Sequence, residues 1–154
     1  MNIVILGGVA AGTKVAAKLM RQNRNNNVTI YTKSKDISYA GCGLPYHISG
    51  LIPDKDSLVV NTPEKFSMLT GVNVKTEMEA IKIDPNRKSV LFKDNTEVNY
   101  DKLVIATGAT PIVPNIEGVD RPNVFTLRTV EDAVNIKRYI EEKSVKSAVI
   151  VGAS

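Results

Sequence analysis

The chain of 154 residues contains one cysteine, Cys42, in the run Ser38-Tyr39-Ala40-Gly41-Cys42-Gly43-Leu44-Pro45-Tyr46. Small residues flank it on both sides. A thiol that only fills a core has no need of glycine neighbours, whereas one that must meet a flat ring or a disulfide needs clear approach. The reactive form is the thiolate, which a cationic neighbour or a nearby helix N-terminus favours. Pro45 suits the first turn of a helix, so the segment reads as a loop leading into a helical turn. The alternative is a small buried apolar residue, and the cysteine segment alone leaves both readings open.

Two further motifs carry chemistry. Gly7-Gly8-Val9-Ala10-Ala11-Gly12 lies between an apolar run and a helical pattern. Glycine lets the chain reverse, small residues let backbone approach a pyrophosphate, and the following helix N-terminus attracts its charge. The usual fingerprint has glycine where Val9 stands. It also has an acid about 20 residues further on, where this chain has Thr32. The second motif is Leu103-Val104-Ile105-Ala106-Thr107-Gly108-Ala109, a strand that breaks into a small-residue turn. Either motif alone fits a plain turn without a ligand; the pair at this separation is far more specific.

These residues must be held by ordered elements. Asn2–Leu6 and Val28–Thr32 read as parallel strands, with a helix from Gly12 to Asn23 between them, a βαβ unit. On that helix Val15, Ala16, Leu19 and Met20 make an apolar face, and Lys14, Lys18 and Arg21 make a basic stripe. Without further information the stripe reads as a solvated helix face. Thr62-Pro63-Glu64 opens a short helix that Gly71 closes. Residues 72–76 and 80–84 read as strands, and residues 89–93 and 97–100 flank Asp94-Asn95-Thr96 as a hairpin. Residues 110–122 contain three prolines and read as extended linker. Thr129 and Asp132 open a helix to Glu142, and Ala148–Val151 reads as one more strand.

Composition narrows the classes. Lys and Arg number 20 against 16 Asp and Glu, a net charge of +4, and there is no Trp. Nucleic-acid binding calls for denser basic patches with aromatic residues between them, so that class is set aside. A mild positive excess favours small anions. No run approaches the ~20 apolar residues of a membrane span, and no leader peptide is visible. One cysteine admits no internal disulfide and fits a reducing, cytoplasmic setting.

The two glycine motifs, with Ile37–Tyr46 between them, resemble the flavin-dependent pyridine nucleotide–disulfide oxidoreductases. Among these, the chain is most similar to the single-cysteine branch of coenzyme A-disulfide reductases, persulfide reductases, and NADH oxidases and peroxidases. The resemblance implies an α/β fold: a Rossmann-like FAD-binding domain, its parallel sheet carrying helices on both faces and a small antiparallel β layer. It implies that NAD(P)H reduces FAD and FAD reduces Cys42. Cys42 then cycles through a mixed disulfide with coenzyme A, or through a sulfenic acid in oxidases and peroxidases. Gly7, Gly8, Val9, Ala10, Ala11 and Gly12 match the loop under the FAD pyrophosphate. Thr32 and Lys33 match the adenosine ribose, Ala80 the adenine, and Ala106, Thr107 and Gly108 the flavin side. Lys14, Lys18, Arg21 and Ser38 match contacts to coenzyme A. Oxidases and peroxidases typically carry a histidine in the first loop where this chain has Ala10, which favours coenzyme A disulfide or a persulfide as substrate. His47 reads as a structural neighbour of the thiol, with a proton carrier as the alternative.

Subunits of this family exceed 400 residues and pair as homodimers, which implies that these residues are an N-terminal piece. The expected organisation is the first part of the FAD domain at 1–112, a linker and connecting helix at 113–145, and the first strand of an NAD(P)H domain at 146–154. Such a piece would retain flavin weakly and lack reductase activity alone. The alternative of another class is a non-catalytic nucleotide-binding module.

Overall fold

In a computed structural model describing residues 1–152, the elements run in the following order. They are β1 (Asn2–Leu6), α1 (Ala10–Gln22), β2 (Asn27–Tyr31), α2 (Leu44–Ile48), α3 (Pro63–Thr70), β3 (Asn73–Lys75), β4 (Ala80–Asp84), β5 (Ser89–Phe92), β6 (Glu97–Asn99), β7 (Lys102–Ile105) and α4 (Val130–Glu142). Single 3-10 turns occupy Gly41–Gly43 and Lys55–Leu58. The chain divides into two units, Met1–Tyr39 with Val59–Ala109, and Ala40–Leu58 with the residues from Thr110 on.

The first unit is built on a parallel sheet in the order β3-β2-β1-β7. Alternate residues of its strands face opposite sides, as strand geometry requires. Ile3, Ile5, Val28 and Ile30 pack with Ala16 of α1, Phe66 of α3, Ile37 and Val72. Val4 and Leu6 pack the other way, against Val90 and Phe92. Both faces of β1 are therefore covered, which explains why its sequence is continuously apolar rather than alternating.

The expected α/β fold is formed, including the small antiparallel layer: within this unit α1 and α3 share one face of the parallel sheet, and a three-stranded antiparallel sheet, β4-β5-β6, covers the other. Its strands offer Ala80, Ile83, Val90, Phe92 and Val98 as one apolar face. Phe92 is wholly buried and its ring lies 4.7 Å from that of Tyr31.

The N-terminal ends of the parallel strands are closed by side-chain amides. Asn27 Nδ2 donates to Asn2 Oδ1 at 3.3 Å, and Asn73 Nδ2 donates to Asn27 Oδ1 at 3.2 Å. The C-terminal ends lead instead into the glycine turns. α3 begins and ends on its sequence signals: Thr62 Oγ1 accepts from Lys65 N, and Gly71 takes the left-handed conformation at φ 75°.

The second unit holds the cysteine segment. Ala40 N donates to Leu58 O at 2.8 Å and closes the segment as a loop. α4 packs on α2 and on the Lys55–Leu58 turn, and Lys137 Nζ donates to Pro53 O at 3.2 Å. A reciprocal capping box starts α4: Thr129 Oγ1 accepts from Asp132 N, and Asp132 Oδ2 accepts from Thr129 N at 2.7 Å. The strand expected at Ala148–Val151 is not formed. Those residues are irregular, and Val149, Ile150 and Val151 are exposed. An apolar β-branched run becomes a strand only where a neighbour takes its backbone hydrogen bonds, and no described residue does so. Ala153 and Ser154, from the same expected segment, lie outside the described residues.

Candidate functional site

The first glycine motif leaves β1 and enters α1. Gly7 has φ 110°, a conformation side chains disfavour, and a Cβ there would overlap the carbonyl oxygen of Ala106. Gly7 N donates to Tyr31 O and Ala106 N donates to Leu6 O, each at 2.8 Å. The ends of β1, β2 and β7 are thereby drawn together, and the turn at Ala106-Thr107-Gly108 lies directly against Gly7. A Cβ on Gly12 would overlap the carbonyl oxygen of Gly7, so the first turn of α1 sits on the loop itself. Strand order reverses between β1 and β7, because the chain runs outward through β2 and β3 before returning to the other side of β1. Such a switch point is where open α/β sheets form ligand crevices.

The helix end at this crevice is open. Val9, the residue before α1, supplies no side-chain cap, and the first turn holds no acidic residue. The Thr13 hydroxyl donates to the Val9 carbonyl and so satisfies an acceptor rather than an amide. Ala10 and Ala11 are exposed. Free amides at the positive end of a helix dipole, unobstructed by side chains, suit an anionic group such as a pyrophosphate.

Other expected residues fall around or away from this crevice. Thr32 is buried just past β2, with its methyl against Gly8 and its Oγ1 accepting from Ser34 N at 3.4 Å. Lys33 beside it is exposed. Ser38 N donates to Gly8 O at 2.9 Å, a bond within the first unit. Ser38 itself has φ 49°, held by that bond and by Val60 N donating to its carbonyl. Thr107 and Gly108 are exposed. Ala80 packs on the core between the two sheets and is not brought to the crevice by any described contact. Lys14, Lys18 and Arg21 are all exposed on α1, at the spacing of one helix face. Burial pushes the Tyr31 hydroxyl above its ordinary pKa.

Cys42 lies in the second unit, at the middle of the Gly41–Gly43 turn, and its thiol is exposed. This decides against the buried apolar alternative. Gly43 N donates to Ala40 O at 2.9 Å. A Cβ on Gly43 would stand 2.8 Å from Leu58 Cδ2, while one on Gly41 would meet nothing within 4 Å. The turn is thus packed on its Gly43 side and open on its Gly41 side. α2 follows at once, with Pro45 in its first turn.

The model of the pyridine nucleotide-disulphide oxidoreductase family matches residues 1–154. The chain belongs to this family. Among its relatives is a protein named NADH oxidase from Methanocaldococcus jannaschii, 39% identical over 157 residues. That match covers 99% of this chain and 35% of the relative. A coenzyme A disulfide reductase of Staphylococcus haemolyticus is 33% identical, with 99% of this chain and 35% of the relative covered. A solved NAD-dependent persulfide reductase from A. fulgidus superposes with a TM-score of 0.86 at 39% identity, covering 92% of this chain and 28% of that one. The chain therefore spans about a third of the length of these curated relatives. Membership in the oxidoreductase family implies flavin and nicotinamide cofactors, and the open crevice at Gly7–Gly12 fits the phosphate end of such a dinucleotide.

Sequence reasoning missed the packing role of Gly43 and the carbonyl partner of His47. The Gly-Cys-Gly spacing signalled only that the thiol needed room. Nothing in it showed that one glycine faces Leu58 and the other faces open space.

Proposed function

We propose that this chain is the flavin- and thiol-bearing segment of an enzyme that passes electrons from NAD(P)H through FAD to Cys42, and on to coenzyme A disulfide or a persulfide. The observation that carries the reading is the exposed, solitary thiol of Cys42 in a chain of this family. Bound FAD would supply the electron relay between NAD(P)H and the thiol. The open amides at Ala10 and Ala11, and the close approach of Gly7 to Ala106, support binding of its pyrophosphate at the first loop. Thr107 and Gly108 would line the same crevice nearer the flavin ring. Thr32 and Lys33 would face the ribose, and Ala80 the adenine.

Cys42 acts as the nucleophile. Its thiolate attacks one sulfur of coenzyme A disulfide, forming the Cys42–coenzyme A mixed disulfide and releasing one coenzyme A thiolate. Two electrons from NAD(P)H and a proton then cleave that mixed disulfide, restore the Cys42 thiolate and release the second coenzyme A thiol. Lys14, Lys18 and Arg21 would hold the phosphates of coenzyme A, whose charge these exposed cations complement, and Ser38 would make a further contact. A family member named NADH oxidase favours a second reading, in which Cys42 cycles through a sulfenate.

The test is Cys42→Ser in the enzyme carrying this segment. Flavin content should be unchanged, and reduction of coenzyme A disulfide should be lost. A variant that still turns over coenzyme A disulfide at the original rate overturns the reading. Loss of oxygen reduction, in an enzyme that never used the disulfide, favours the sulfenate route.

A further inference from the structure

We propose that His47 is a positioning residue for Cys42 and acts through Ile52; the inference rests on the reading of Cys42 as the redox thiol. His47 is buried on α2, with 4% of its surface exposed. Its Nδ1 lies 2.8 Å from the carbonyl oxygen of Ile52. A carbonyl only accepts, so the ring donates from Nδ1.

The amide of Ile52 returns the grip, with Ile52 N donating to Tyr46 O at 3.0 Å. Both backbone polar groups of Ile52 are therefore held by successive residues of α2. Ser49 N to Pro45 O at 3.0 Å and Gly50 N to His47 O at 3.1 Å complete the tight return of the chain beside the helix.

Ile52 is anchored there for a visible reason. Its Cδ1 stands 3.7 Å from the point a Cβ on Gly43 would occupy, and Leu58 Cδ2 stands 2.8 Å from the same point. These two side chains form the floor under Gly43, the residue next to the thiol. Leu58 also grips the other flank, because its carbonyl accepts from Ala40 N at 2.8 Å. The Cys42 turn is thus supported on its Ile52–Leu58 side, and the His47 bond fixes one of these supports. Without it the Ile52 carbonyl loses its donor in a part-buried site and the floor can shift. The thiol remains exposed but points differently. A buried histidine serving only as filler would not require this donor; phenylalanine would fill the space as well.

The experiment uses this chain, with its single thiol, and two probes. Iodoacetamide is small and reports thiol exposure and ionisation. Coenzyme A disulfide requires an in-line approach of the thiolate to a sulfur and so reports direction. His47→Phe should slow formation of the Cys42–coenzyme A mixed disulfide by about tenfold to a hundredfold relative to alkylation, the scale of a misaligned attack. His47→Asn, whose amide donates from nearly the position of Nδ1, should restore the ratio. His47→Gln moves the donor outward and should show the same selective loss, which keeps the test available if the Phe variant does not fold. Equal change in both rates, or no rescue by Asn, overturns the proposal. Failure of the unsubstituted chain to form any mixed disulfide at Cys42 counts against the reading of Cys42 itself, a distinct outcome.

Discussion

Replacing Gly7 by alanine tests whether the glycine loop owes its form to close backbone approach or to glycine's conformational freedom alone. Two costs act at Gly7. Its φ of 110° is strained for alanine, and the added Cβ would collide with the Ala106 carbonyl, a backbone atom with little room to yield. Gly71, in the same unit, separates the two. Its φ is 75°, but an added Cβ would meet only the terminal methyl of Met20 at 3.2 Å, a flexible end that can move. Gly71→Ala should therefore cost the left-handed penalty alone, about 1–2 kcal/mol. Gly7→Ala should add about 1–3 kcal/mol of overpacking, for a total of about 2–5 kcal/mol. Urea unfolding followed by far-ultraviolet circular dichroism reads both values from their midpoints. Equal losses for the two variants would refute the close-approach argument. So would a Gly7→Ala chain that keeps the parent's midpoint.

Two more outcomes follow from the same structure. Asp94 is held below the ordinary aspartate pKa by hydrogen bonds from the Thr96 amide and hydroxyl, and Asp84 by the amide of Arg87 and, less, that of Asn86. Since their folded pKa values are depressed, their contribution is present above the unfolded pKa and is lost as pH falls through the folded one. The double variant Asp84→Asn/Asp94→Asn should therefore lose stability less steeply than the parent below the ordinary aspartate range; identical acid unfolding curves would count against this. In the enzyme carrying this segment, Lys18→Ala/Arg21→Ala should weaken coenzyme A disulfide use about tenfold, ~1.4 kcal/mol, with oxygen reduction nearly intact. Steady-state kinetics with both acceptors decide it, and equal loss of the two would remove the stripe from the substrate site.

Local rules reached most of the framework. β4 occupies the expected Ala80–Asp84, and the caps at Thr62, Gly71 and Thr129 act as their residue types require. Such signals lie within a few residues of the element they end. What escaped them depends on distant partners. The apolar pattern of β4–β6 signals an antiparallel layer but cannot say which sheet face it will cover. The run Val149-Ile150-Val151 has strand propensity but no neighbour among the described residues. In the site, the glycine loop was legible because each glycine meets a definite atom: Gly7 the Ala106 carbonyl and Gly12 the Gly7 carbonyl. The packing of Gly43 on Leu58 and the Ile52 carbonyl that His47 meets were not, because both partners are brought in by the return of the chain after α2.

Cys42 is proposed as the thiol through which electrons leave the flavin. The direct measurement is mass spectrometry of the enzyme carrying this segment, exposed to coenzyme A disulfide without NAD(P)H and then with it. A coenzyme A adduct on Cys42 that forms in the first step, and disappears in the second only when FAD is bound, is the predicted result. An enzyme that reduces coenzyme A disulfide while Cys42 never carries an adduct would contradict it.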